Sequence, residues 1–407
     1  MTQSFSDMLY LFSCAAHGVQ PEKKTDLNLD EIYHKAASQG VLPLVLISFK
    51  ELYMNDGVII CGTPLEEHIK RLRLQALNNI QRGFIIHNAI KKLADNGISC
   101  CILKGETVAI LYHNPDCRIS NDTDIYIDTD DKETIVEAQK ILEESGFKFC
   151  KGLPESHHIN ATHKTAGYLE LHHSLHDKLY KDIWFDNKTS LSELFRMVKT
   201  PIGIEVPALG VTDALYYSFL HLVKHFLRDG IGIRPFMDIL LYIKNYKNEI
   251  DFEKFSGLIR YLKYDKFFDN IMCVGVKYLG FAKDELYPFS NNDELIERIL
   301  TDVENGGQFG KDEVWRKNFH KVYSKQRFSR FTDEDYHKKI KAYMTRNPFK
   351  RFFLNRSIMM NGYTYVARHG FLLPVAWLHR ASKFVRKLFL TNKVKERLDL
   401  VRKLDMI

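Results

Sequence analysis

"CRISNDTDIYID" (residues 117–128) sets two carboxylates, Asp122 and Asp124, one residue apart where a polar loop turns into an apolar run. Ile125, Tyr126 and Ile127 read as a strand, whereas acidic residues are poor strand formers. Side chains at i and i+2 of a strand share a face, their Cα atoms about 6.5 Å apart, so the two charges repel unless a cation lies between them. On that crowding, Asp124→Asn is expected to leave the metal-free fold intact or slightly more stable. An EF-hand calcium loop would use Asp122, Asp124 and Glu133, but it needs an oxygen ligand and then a glycine where Tyr126 and Ile127 stand. That excludes it. Taken alone, the pair fits an ordinary polar turn at a strand edge. Its surroundings point elsewhere.

Upstream, "ISCCIL" (98–103) is a short strand-like run, and "LKGE" places Lys104 and Gly105 where that strand hands over to the brief helix "GETVAILYH". A glycine at such a turn lets backbone N–H groups approach a phosphate, and a helix N-terminus adds partial positive charge. Downstream, "DKETIVEAQKILEESGF" is an amphipathic helix with Ile135, Ala138, Ile141 and Leu142 on one face, stopped by Gly146. "HHINATHK" and "AGYLELHHSL" follow as two strands, the second with Glu170 between Leu169 and Leu171. An unpaired carboxylate there is costly. Three acids on adjacent strands, facing a phosphate-cradling turn, can hold a divalent metal.

The flanks have a helical period. Residues 28–95 carry apolar positions at helical spacing with Gly97 at a C-cap, and "MTQSFSDMLYLFSCAAHG" reads as a first helix, since no basic residue precedes its apolar stretch and Asp7 interrupts it. Beyond about residue 208 helices return, with Thr212 before Asp213 as a plausible start. The expected fold is therefore α+β: a small mixed-sheet core flanked by an N-terminal helical region (1–95) and a C-terminal helical domain with a basic tail (208–407), the core spanning 96–207.

The order "LKGETVAILYHNPDCRISNDTDIYID … GF … YLELHHSLHD" resembles the uncharacterised nucleotidyltransferase family of the DNA-polymerase-β-like nucleotidyltransferase superfamily, from about Ile98 to Asp177. Lys104 and Gly105 match its "KG" turn, Arg118 the arginine ahead of its acids, Asp122 and Asp124 its D-x-D, and Glu170 with His172 its later acid-x-His strand. The wider superfamily usually has Gly-Ser at the turn, where this chain has Glu106. The resemblance implies Mg²⁺ (or Mn²⁺) held by Asp122, Asp124 and Glu170, with Lys104, Gly105, Arg118, Ser120 and His172 around the nucleotide. The reaction implied moves a nucleoside monophosphate from an NTP to a hydroxyl on a small molecule, protein or nucleic acid. A catalytically silent nucleotidyltransferase-like binding module is the alternative, against which the intact acidic set argues. A fainter echo in "LHLVKHFLRDGIGIRPFMDILLYI" leaves open that His225, Arg234 and Asp238 line the cleft.

Other features narrow the setting. Seven cysteines without regular spacing suggest reduced thiols in a cytoplasmic protein, and no run approaches the roughly 20 apolar residues of a spanning helix, so no integral membrane association is expected. His157, His158, His163, His172, His173 and His176 crowd one region, yet their spacing fits no zinc motif. His172 shares a strand face with Glu170; His173 points the other way. His221 and His225 lack the H-E-x-x-H pattern of a metalloprotease. From Arg346 onward the chain carries net +11 of its overall +7, and Trp377, Ala381, Phe384, Val385 and Leu388 form an apolar stripe rimmed by Arg380, Lys383, Arg386 and Lys387. That tail reads as a folded helical element rather than a nucleic-acid-binding arm.

Overall fold

A computed structural model describes residues 1–22, 27–54, 64–120, 122–129, 131–150, 158–175, 195–228, 230–290, 293–307, 319, 370–379 and 391–406. The fold is mixed α+β around a seven-stranded sheet. In chain order the described elements are α1 (Gln3–His17), α2 (Leu29–Gln39), α3 (Leu42–Met54), α4 (Pro64–Asp95), β1 (Cys100–Ile102), α5 (Glu106–Ala109), β2 (Asp122–Ile127), α6 (Lys132–Glu144), β3 (Lys148–Phe149), β4 (His158–His163) and β5 (Gly167–His172). Then come β6 (Arg196–Lys199), β7 (Glu205–Ala208), α7 (Val211–Arg228), α8 (Arg234–Tyr246), α9 (Phe252–Tyr261), α10 (Asp265–Tyr278), α11 (Asp293–Gly306) and α12 (Thr391–Lys403).

Local chemistry fixes most helix ends. Thr2, Asn28, Asp131 and Asp251 each accept a backbone N–H of the first turn, relieving donors that a helix start leaves unpaired. Gly18 and Gly40 end α1 and α2 in the left-handed conformation that glycine adopts without penalty. Thr212 does not cap α7, which begins one residue earlier; its hydroxyl instead accepts the Asp251 N–H at 2.9 Å.

The sheet order is β3-β4-β5-β2-β1-β7-β6. β2 lies at its centre, antiparallel to β1 and parallel to β5, in a register that sets Asp122 opposite Tyr168 and Asp124 opposite Glu170. Alternation then sorts the side chains onto two faces. Cys100, Ile102, Ile125, Ile127, Ala161, Leu169, Leu171 and Val206 turn to one side and pack with Ile86, Ala89, Ile90 and Leu93 of α4 and with Ala138, Ile141 and Leu142 of α6. Asp122, Asp124, Glu170 and His172 belong to the other. β3, β6 and β7 were not expected from the sequence. β7 contains Pro207 and joins the sheet through one residue pair to β1, Ile102 with Ala208, and pairs with the edge strand β6 on its other side.

The chain divides into two compact units: Met1–Phe226 with Gly230–Gly310, and Leu227–Asp229 with Lys311–Ile407. In the first, the helices after the sheet pack around Phe219, Phe226, Phe236, Phe255, Phe267 and Phe268, all essentially buried. The N-terminal helices tie to them through polar links: Gln39 donates to the Val303 carbonyl at 3.0 Å and accepts the Ile233 N–H at 2.9 Å. In the second unit, α12 places the Arg397 guanidinium 5.7 Å from the centre of the buried Phe319 ring. The remainder of the expected tail stripe, Ala381 to Leu388, lies outside the described residues, as do His157 and His176.

Candidate active site

β2 carries Asp122 and Asp124 on the sheet face away from the α4–α6 core, and its parallel neighbour β5 brings Glu170 alongside Asp124. The Lys104 ammonium, just past the end of β1, lies 3.3 Å from Asp124 Oδ2 and 4.0 Å from Asp122 Oδ2. The same ammonium donates to His221 Nε2 of α7 at 2.8 Å. His172 Nε2 lies 3.1 Å from Asp124 Oδ1 and 3.2 Å from Glu170 Oε2. One lysine and one histidine thus stand among the three acids, and α7 roofs them with Tyr217, whose ring centre is 6.5 Å from that of His172.

Asp124 is 1% exposed, Asp122 37%. Burial alone would raise the Asp124 pKa, but Lys104 and His172 together hold it below the usual carboxylate range. Glu170 behaves likewise: burial, the largest single influence, raises it, but the His172 hydrogen bond and the charges of His172 and His158 together carry the net direction down. Burial would lower His172, yet its bonds to Asp124 and Glu170 carry it above an ordinary histidine. His221 goes the other way, depressed by burial and by the Lys104 charge, which suits a neutral ring accepting from that ammonium. The expectation from crowding that Asp124→Asn would be neutral or stabilising is therefore corrected. Cations already compensate the pair, so removing the Asp124 charge strips Lys104 and His172 of their main partner.

Gly105 adopts φ +85°, a region L side chains rarely enter, and a Cβ there would stand 3.1 Å from Ser120 Oγ. Glycine is required at this turn. The helix it opens, α5, is a single turn, so its dipole contributes little and positive charge near the turn comes from the side chains of Lys104, Arg82 and Arg118. Ser120 Oγ donates to the Asp122 carbonyl at 2.9 Å. Glu106 is partly buried beside Arg82 and Arg118, and that burial raises its pKa against both.

Arg118 is committed elsewhere. Its Nε and Nη2 donate to Asp238 Oδ1 and Oδ2 at 2.9 and 2.7 Å, a bidentate pair that the Tyr112 hydroxyl joins at 2.7 Å. Arg234 Nη1 bonds the Ile119 carbonyl. Arg118 and Asp238 therefore clamp the loop before β2 onto α8, while Arg118 Nη1 is buried without a hydrogen-bond partner. Arg118, Ser120, Gly105, Glu106 and Arg82 line one small cleft. His225, left open by the sequence, packs against His221 with ring centres 4.5 Å apart and planes tilted by 57°.

The structure so gathers Asp122, Asp124, Glu170, His172 and Lys104 in one cluster and Gly105, Ser120 and Arg118 along the adjoining cleft. Sequence reading missed four contributors. Arg82 of α4 grips Thr123 Oγ1 (3.2 and 2.7 Å) and the Ser120 carbonyl, holding the D-x-D loop from outside. Tyr217 and His221 sit one helical turn apart on α7, a spacing common to any packed helix. His158 stands directly across β4–β5 from His172, and its Nε2 is 3.9 Å from Glu170 Oε2. Only the strand register reveals that neighbour.

With this geometry in view, the chain belongs to the uncharacterised nucleotidyltransferase family, whose model matches residues 25–280, more than half its length. A solved structure of the antibiotic-resistance factor ANT(2'')-Ia is similar over 46% of this chain and 92% of that one, at 14% identity and a TM-score of 0.32. No curated protein matches the chain significantly. Among the described residues no helix is long and apolar enough to cross a membrane.

Proposed function

We propose that the protein transfers a nucleoside monophosphate from an NTP to a hydroxyl acceptor, with Asp122, Asp124 and Glu170 as the ligands of Mg²⁺ or Mn²⁺. The observation that carries this reading is the β2–β5 register, which lines the three carboxylates along one sheet face with Lys104 between two of them. The donor set suits a hard divalent cation, and the buried Asp124 Oδ2 meets the Lys104 ammonium at 3.3 Å, so it faces a spot where the molecule already keeps positive charge. A bound ion would supply Lewis-acid stabilisation of charge on the transferring and leaving phosphates.

The chain's own residues divide the remaining work. Lys104, freed from the acids when an external cation takes its place, is within reach of phosphate oxygens at the adjoining turn. Gly105 leaves that turn open to close approach. Glu170, at 30% side-chain exposure, is the more accessible partner of His172 and is suited to receive the acceptor's proton. The acceptor oxygen forms its bond to the α-phosphorus, the bond to the β-phosphate oxygen breaks, and pyrophosphate leaves with the electron pair. Arg118 acts in this scheme chiefly by positioning, since Asp238 occupies two of its three donor nitrogens. The division expected from sequence becomes a functional one: 96–207 carries the acids and the turn, 1–95 contributes Arg82, and 208–407 contributes Tyr217, His221 and Asp238. A cytoplasmic setting is proposed on the cysteines. The six described are all free thiols.

The test incubates the full chain with each α-labelled NTP, Mg²⁺ or Mn²⁺ and a cell extract, and follows the label. Label joined to an acceptor by wild type and not by Asp124→Asn supports the reading. No transfer with any NTP and either ion leaves the silent binding module as the better account.

A further inference from the structure

Beside the three acids lies a second set of ligand atoms that the family motif does not name. His158, Glu170 and His172 each offer one atom, and all three atoms lie within 4.8 Å of one another. The register explains the grouping. His158 and His172 are direct cross-strand partners on antiparallel β4 and β5, and Glu170 is two residues before His172, so the three share one face. The closest pair, His172 Nε2 and Glu170 Oε2, is 3.2 Å apart, and His158 Nε2 is 3.9 Å from that same oxygen. Ligands around a four-coordinate ion with bonds of about 2.1 Å stand roughly 3.4 Å apart. Two of the three edges, 3.2 and 3.9 Å, stand near that spacing, and the edge between the two histidines lies within 4.8 Å, so the site closes on binding. That closure falls on His158, at the first residue of β4, where β3 pairs only with Ala161 and Thr162 farther along. Asp124 Oδ1, 3.1 Å from His172 Nε2, is placed to be a fourth ligand or a bridge to the Asp122–Asp124 side.

We propose that His158, Glu170 and His172 form a site for a divalent transition ion of the manganese-to-zinc series, so that one ion of this centre is bound through imidazole nitrogen. Mg²⁺ prefers oxygen ligands, whereas two imidazoles with one carboxylate suit zinc, cobalt, iron and manganese. A centre built only for Mg²⁺ gains nothing from a second histidine facing the first across two strands. The catalytic meaning of this ion rests on the proposed transferase reading, but its binding does not.

Calorimetric titration of the metal-stripped full chain with Zn²⁺, without nucleotide, tests the site. Wild type is expected to bind one tight equivalent that millimolar Mg²⁺ does not displace. His158→Ala should weaken it by at least the roughly 10–100-fold that loss of even an outer-shell partner costs, while replacing the exposed His34 leaves it unchanged. Co²⁺ should give ligand-field absorption in wild type that His158→Ala reduces. If that variant melts early, His158→Gln, which keeps the side-chain bulk, is read in its place. Equal Zn²⁺ binding by wild type and both His158 variants overturns the proposal, as does Mg²⁺ competing on equal terms. Transfer supported by Mg²⁺ in a protein lacking the Zn²⁺ site would sink this inference and leave the transferase reading standing. Zn²⁺ bound as expected, without nucleotide transfer, would do the reverse.

Discussion

The two faces of the central sheet are built from the same strands by opposite rules. On one face Ile102, Ile125, Ile127, Leu169 and Leu171 press against α4 and α6 with no charged group in the cluster. On the other, one residue along each strand, Asp124, Glu170, His172 and Lys104 are crowded under α7. The first face holds the molecule together through apolar burial. The second concentrates charge that apolar packing alone could not tolerate, and does so by matching each acid with a cation or a histidine. A charged cluster that is merely structural could be replaced by an apolar one; this one sits in line with a glycine turn and an open cleft. The apolar face carries stability, the polar face the proposed chemistry, and mutation can separate the two.

The largest separation is expected between Asp124→Asn and Leu142→Ala. The first should lower transfer by at least the roughly 10²–10³-fold that follows loss of one electrostatic stabiliser, while unfolding free energy falls by about 1.5–3 kcal/mol as two charge-assisted contacts are lost. The second, on the apolar face, should cost about 2–5 kcal/mol of stability and leave the activity of the folded fraction near wild type. Denaturant titration paired with initial rates checks both. If Leu142→Ala abolished activity in fully folded protein, the two-face division would collapse.

Asp238→Ala sharpens the comparison, because its target is a charge pair outside the acidic cluster. It strands the buried Arg118 and should cost about 3–5 kcal/mol, with activity lost through misplacement of the D-x-D loop. Asp238→Asn carries the pH signature. Burial raises the Asp238 pKa, but Arg118 dominates and the net shift is downward. A depressed carboxylate contributes stability that is present above its unfolded pKa, near 3.8, and lost as pH falls through the lower folded value. The variant's acid limb should therefore be shallower than that of wild type below pH about 4, where melting temperatures against pH would reveal it. Parallel limbs would mean that the pair contributes no linked proton.

The smallest effect concerns the thiols. Burial pushes Cys100 up to about 12 and Cys101 well above an ordinary thiol, whereas Cys150 is exposed. Mild alkylation followed by peptide mapping should label Cys150 first among the described cysteines and leave activity unchanged. Early labelling of Cys101 would show that the sheet opens where the fold says it is closed.

Much of this was legible in sequence, for identifiable reasons. The D-x-D at the head of an apolar run, the lone Glu170 between leucines, Gly105 at a strand-to-helix handover and the α6 stripe are local signals, each carried within a few neighbouring residues. What escaped is relational. β7 hides behind Pro207, a residue that argues against a strand, and is held by its antiparallel partner β6. Arg82 acts across 38 residues of chain on Ser120, and Lys104 meets His221 across 117. Arg118 fits a phosphate-binding motif, yet Asp238, far along the chain, takes its bidentate donors. The histidine crowd fitted no zinc spacing because its pairing is set by strand register, not by intervals along the chain.

On the proposed reading, the polar face is a metal–nucleotide centre organised by Asp122, Asp124 and Glu170. Its most direct test is equilibrium binding of a non-hydrolysable NTP in the presence and absence of Mn²⁺, comparing wild type with Asp124→Asn and Glu170→Gln at matched folded content. The account predicts that wild type binds only with the ion and that Asp124→Asn loses this ion-dependent binding, with Glu170→Gln weakened. Binding that is independent of Mn²⁺, or equally strong in Asp124→Asn, would contradict it.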